Sequence, residues 1–139
     1  MKLNCLALFF AVPVFMLSCL SGPVTIPDHL TTAELIQRAQ EASDRNNYRV
    51  ALQYYEAIAS RFPYDIDSIC AAEYEIAFIH FKQKKYDAAK AGFRNLLERY
   101  NVPDEELLPP QFKVLAKMVL ERIAGIERLM KNEFEEEDS

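Results

Sequence analysis

Apolar side chains recur every three or four residues from Thr31 onward, and this spacing predicts four successive helices. Short polar turns at about residues 46–47, 63–67 and 84–85 separate these helices. Thr31 and Glu34 stand three residues apart before the first apolar run, as in a capping box. The pattern therefore predicts an all-α fold that begins at Thr31 with two antiparallel helix pairs.

A fifth helix is predicted at about residues 110–132, after a proline-rich connection. Its apolar side chains cover a wider arc than one packing contact needs. The stripe predicted to face the core consists of Phe112, Leu115, Val119, Ile123, Ile126 and Met130. Beside it lie Val114, Met118 and Leu129, for which two interpretations stay open. Either this helix caps the preceding pairs from two sides, or these three side chains bind a partner protein.

The N-terminus carries Lys2 and a mostly apolar run over residues 6–17. About a dozen residues suit the apolar region of a secretory signal, whereas a membrane-spanning helix needs about 20. We therefore expect a signal segment at residues 1–18 and a tether at residues 19–30. At the other end, the acidic residues 133–139 predict a disordered tail.

The run ends in Met16, Leu17, Ser18 and Cys19, which resembles the lipobox of bacterial lipoproteins. This resemblance implies lipidation of Cys19, and with it a lipid anchor in the cell envelope. Two alternatives stay open at this point: ordinary signal cleavage near Ser21 or Gly22, and a short uncleaved anchor.

Composition argues against most chemistry. Residues 19–132 carry 15 basic and 16 acidic side chains, so the predicted folded part is close to neutral, and Lys82, Lys84 and Lys85 form too small a basic cluster to favour nucleic acid as a partner. Three isolated glycines form no phosphate-binding motif, and the sparse Cys and His residues form no metal-ligand pattern. We expect no cofactor, no metal site and no catalytic residues, although an unrecognised enzyme stays a remote alternative.

The first four helices repeat with a period of 38 residues. In this register several small and aromatic residues coincide: Ala39 with Ala77, Tyr48 with Tyr86, Ala51 with Ala89, Tyr55 with Phe93, Ile58 with Leu96, Arg61 with Arg99, and Phe62 with Tyr100. Small residues let paired helices approach, and aromatic rings fill the space beside them. The coincidence predicts two copies of one helix-pair unit, at about residues 31–64 and 68–101.

The recurring alanine, tyrosine and aromatic positions resemble the tetratricopeptide repeat family. Within that family, Arg61-Phe62-Pro63-Tyr64 and Glu98-Arg99-Tyr100 are similar to the repeats of lipoproteins that assist outer-membrane β-barrel assembly. The resemblance implies a groove lined by the first helix of each repeat. Candidates for that groove are Tyr74, Phe78, Phe81 and Lys82, and packing of the three aromatic rings in the core is the alternative.

This resemblance also implies a function without catalysis. We expect a periplasm-facing scaffold lipoprotein, anchored in the outer membrane, that binds protein partners, among them the membrane barrel protein of the assembly machinery. The alternative is an adaptor for cell-wall synthesis or for a solute transporter. Two repeats and one helix bury a small core, so we also expect stabilisation by a partner or by self-association.

Overall fold

The structure is a computed structural model that describes residues 24–137. Every regular element in that range is helical, which confirms the predicted all-α class. The elements are α1 (Thr32–Asp44), α2 (Tyr48–Arg61), α3 (Ile66–Lys82), α4 (Tyr86–Glu98), a 3-10 turn (Glu105–Leu107) and α5 (Pro110–Glu137). The predicted signal segment, the lipidation site Cys19 and the last two residues lie outside the described range.

Side-chain caps start two of the helices, α1 and α3. The Glu34 amide donates to Thr31 Oγ1 at 3.3 Å, and Glu34 Oε2 accepts from the Thr31 amide at 2.9 Å, which confirms the predicted capping box. At α3, Asp65 Oδ1 accepts from the Ser68 amide at 3.2 Å, and hydrogen bonding to Ser68 lowers the Asp65 pKa. This cap starts α3 at Ile66, before the predicted start of the second unit at about residue 68.

The turns inside the two helix pairs are the same structure, 38 residues apart. Asn46 and Lys84 both adopt the left-handed conformation, with φ of 57° and 59°. The Asn47 amide donates to the Ala42 carbonyl at 2.8 Å, and the Lys85 amide donates to the His80 carbonyl at 2.9 Å. The period seen in the sequence therefore reproduces backbone hydrogen bonds as well as residue types.

Two apolar clusters hold the helices together, and α3 belongs to both. The first cluster joins α1, α2 and one side of α3, whereas the second joins the opposite side of α3 to α4 and α5. Four of the seven residue pairs aligned by the 38-residue period are almost fully buried in them: Ala39, Ala51, Tyr55 and Ile58 in the first, and Ala77, Ala89, Phe93 and Leu96 in the second. The repeated positions are therefore the core contacts of each pair.

Helix α5 packs on α4 in the way that α3 packs on α2, 44 residues earlier. Ala72, Ile76 and Ile79 face the first cluster, and the second cluster contains their equivalents Ala116, Leu120 and Ile123. The other side of α3, which carries Cys70, Tyr74 and Ala77, is covered by the second cluster. The equivalent side of α5 carries Val114 and Met118, which are exposed.

Packing through Ala116 corrects the predicted core stripe of α5. Phe112, Val119 and Ile123 face the core as expected, but Leu115 and Met130 are 38% and 47% exposed. Ala116 is the buried residue at this level of α5, and neighbouring residues of a helix face different directions. Leu115 is therefore directed away from the core. Met130 follows Glu127, whose carboxylate pairs with Lys90 in the first turns of α4, so it lies near the end of the contact between the two helices.

Both ends of the described range are more ordered than the sequence indicates. Val24, Ile26 and Leu30 pack on the first cluster, and Arg61 donates to the Pro27 and Ile26 carbonyls at 2.7 and 2.9 Å. The last part of the predicted tether is therefore fixed to α2. Helix α5 continues to Glu137, through most of the predicted disordered tail, because glutamate is a good helix former.

Candidate partner-binding surfaces

Of the predicted groove residues, Tyr74 belongs to the core. Its side chain is 8% exposed, and its ring centroid lies 5.6 Å from that of Phe93 and 5.7 Å from that of Phe112. Burial raises the Tyr74 pKa. Tyr74 therefore joins α3 to α4 and α5. For this residue the structure agrees with packing in the core and not with lining a groove.

Phe78 and Phe81 form the half-buried edge of that core. Their rings stack with centroids 5.7 Å apart, and Phe78 also stacks on Tyr74 at 5.8 Å. Spacings of four and three residues place the three rings along one face of α3. Phe78 and Phe81 thus combine a packing role with an accessible apolar surface.

Two cations flank this pair of rings. Lys82 Nζ lies 5.4 Å from the Phe78 ring centroid and donates to Ser43 Oγ of α1 at 2.9 Å. The Arg122 guanidinium of α5 lies 5.6 Å from the Phe81 centroid. Arg122 was not among the sequence candidates because its contribution depends on how α5 crosses α3. We call Phe78, Phe81, Lys82 and Arg122 the aromatic patch.

A half-buried carboxyl group, that of Glu75, interacts with Lys82 of the aromatic patch. Glu75 is half-buried, and burial raises its pKa, while the charge of Lys82 opposes the shift and that of Asp44 adds to it. Nearby on α2, burial likewise raises the Tyr55 pKa, and the Tyr55 hydroxyl has no hydrogen-bond partner among the described residues. The aromatic patch, whose charged residues are Lys82 and Arg122, therefore has beside it one carboxyl group with a raised pKa.

A second candidate surface lies on α5. Val114, Met118 and Leu129 are 57%, 59% and 66% exposed, so all three point away from the core. Beside Leu129, a shallow depression is lined by Gly125, Arg128, Leu129 and Asn132. We call the face formed by Val114, Met118, Gly125 and Leu129 the outer face. Helix α5 packs on both α4 and α3, but these three side chains belong to neither of the two described apolar clusters and stay mostly exposed.

The described residues 24–137 contain no cluster of three or more metal-binding side chains. Cys70 is fully buried, and burial raises the pKa of its thiol, as expected for a small core residue. His80 Nδ1 is buried without a hydrogen-bond partner in the described part of the chain.

Among the same residues, no helix is both long enough and apolar enough to cross a membrane.

Comparison with known proteins finds a distant relative. An uncharacterized protein of Treponema pallidum (strain Nichols) is 33% identical over 111 residues. The match takes in 78% of this chain and 44% of the relative, so the chain spans less than half the length of that relative. No family model matches the chain. No solved structure matches it either.

Proposed function

We propose that the protein is a non-catalytic helical scaffold of the tetratricopeptide type that binds a segment of a partner protein at the aromatic patch. The observation that carries the proposal is the pair of half-buried stacked rings, each of which has a cation from a different helix close to it. Such a surface suits a segment with an apolar side chain and an acidic group close to it. The repeated turns at Asn46 and Lys84 support the repeat assignment.

The proposed site of action is the periplasmic side of the outer membrane, with Cys19 as the lipid anchor. The lipobox-like sequence before Cys19 and the resemblance to β-barrel assembly lipoproteins support this placement. In this proposal the partner is the membrane barrel protein of the assembly machinery. An adaptor in cell-wall synthesis or solute transport is the second candidate, because it would use the same helical scaffold with another partner.

Affinity capture with the full chain from detergent-solubilised membranes tests the proposal. Lys82→Glu with Arg122→Glu reverses both cations of the aromatic patch and is expected to remove the captured partner. Arg38→Glu with Arg94→Glu is the matched control, since it reverses two exposed charges on other surfaces. Capture that is equal with all three proteins would contradict binding at the aromatic patch.

The identity of the captured protein separates the two candidates. Recovery of a β-barrel assembly protein supports the first, whereas recovery of a transporter subunit or a wall synthase supports the second. A fatty acid label that fails to appear on Cys19 in producing cells would contradict the lipid anchor.

A further inference from the structure

The outer face of α5 is an apolar surface on a helix that has a packing partner on one side only. Its equivalent on α3, 44 residues earlier, is the side that α4 covers. Val114 and Met118 occupy the positions of Cys70 and Tyr74, which are both buried. The outer face therefore has the composition and position of a surface that packs against another helix.

Gly125 is the strongest sign of what packs there. A glycine inside a helix costs about 1 kcal/mol relative to alanine, so it needs a structural reason. Gly92 in α4 has one, because a Cβ at that position would lie 2.9 Å from the Ala77 Cβ of the adjacent helix. A Cβ at Gly125 would meet nothing within 4 Å. No described residue therefore uses the close approach that Gly125 permits.

The charged residues beside the outer face indicate what kind of helix would fit against it. Lys117, Glu121, Arg128 and Glu135 are exposed and lie along one edge of this face, at spacings of four and seven residues. Their charges alternate from positive to negative along the chain. A second α5 that runs in the opposite direction presents the reverse order, so each charge meets its opposite.

We propose that a second copy of this chain covers the outer face, with the two α5 helices antiparallel and crossing at Gly125. Arg128 stands three residues after Gly125 and Glu121 four residues before it, so Glu121 of one copy lies level with Arg128 of the other. Lys117 and Glu135 come close to level in the same way, and Glu135 also pairs with Lys131 of its own helix at 3.6 Å. This pairing does not depend on what the aromatic patch binds.

Sedimentation equilibrium of the full chain in a non-ionic detergent tests the pairing by charge reversal. Glu121→Arg alone and Arg128→Glu alone are each expected to raise the dimer dissociation constant by about tenfold. The double variant restores the pairs between copies and is expected to return the constant to within about threefold of the original. Within one helix the two residues are seven positions apart, so the rescue requires two copies.

Two further variants provide controls for the same measurement. Met118→Asp is expected to abolish the dimer, whereas Leu107→Asp, at a side chain that is 77% exposed outside α5, is expected to leave it unchanged. Circular dichroism checks that each variant stays helical. A chain that is monomeric at every concentration would overturn the proposal, as would a dimer that Met118→Asp leaves intact or single reversals that the double variant fails to rescue.

Discussion

Helices α3 and α5 carry the same packing pattern in different surroundings. In each, an alanine and two larger aliphatic residues face the preceding helix, as Ala72 does in α3 and Ala116 does in α5. The opposite side of α3 is covered by α4, whereas the opposite side of α5 is covered by no described residue. An apolar pattern therefore predicts that a helix face needs a partner, but whether that partner belongs to the same chain depends on which other helices the fold contains.

The largest contrast is expected between Tyr74 and its equivalent in α5, Met118. Tyr74→Ala removes a buried ring that contacts Phe93 and Phe112, and it should lower the free energy of unfolding by about 3–5 kcal/mol. Met118→Ala changes an exposed side chain and should cost less than about 0.5 kcal/mol in the monomer. Urea unfolding at concentrations that keep the chain monomeric measures both values. Equal losses of unfolding free energy for the two variants would contradict the difference between the covered side of α3 and the outer face of α5.

The two helical glycines should respond in opposite directions to alanine. Gly92→Ala brings a Cβ within 2.9 Å of the Ala77 Cβ, and the expected overpacking of about 1–3 kcal/mol exceeds the gain in helix propensity. Gly125→Ala meets no atom within 4 Å and should stabilise the monomer by about 0.5–1 kcal/mol. Thermal unfolding of dilute protein provides the comparison. A loss of stability for Gly125→Ala in the monomer would contradict an open outer face.

The smallest effect concerns Glu75, which occupies in α3 the position of the buried Val119 in α5. Burial raises the Glu75 pKa, so the folded state binds this proton more tightly than the unfolded state does. The free energy of unfolding therefore decreases as pH rises above the ordinary glutamate pKa of about 4.3, and it stays lower at neutral pH. Glu75→Gln should raise the melting temperature at pH 7 and lose this advantage below about pH 4. If Glu75→Gln changed the melting temperature equally at both pH values, titration of Glu75 would be excluded as the cause.

The helices and their repeat could be predicted from the sequence because both depend on local spacing. The Thr31 cap, the turns near Asn46 and Lys84 and the 38-residue period all concern residues that are close in the chain or related by a fixed offset. The all-α class is a direct consequence of the same spacing.

The surfaces could be predicted only in part, because they depend on how the helices cross. Arg122 reaches Phe81 only once α5 lies against α3, and the packing of Val24 to Leu30 depends on the position of Arg61. Neither contact can be predicted from the spacing of apolar residues along the chain. The burial of Tyr74 likewise depends on the packing of Phe93 in α4 and Phe112 in α5, and the exposure of Leu115 depends on Ala116 facing the core.

Pairing of two chains through the outer face of α5 can be tested by a cross-link at the proposed crossing point. The experiment is oxidation of a Gly125→Cys variant of the full chain, followed by mass spectrometry of the cross-linked peptides. The predicted result is a disulfide between residue 125 of one copy and residue 125 of the other, with no such product from a Leu107→Cys control. Absence of the 125-to-125 peptide, or equal cross-linking at residue 107, would contradict the pairing.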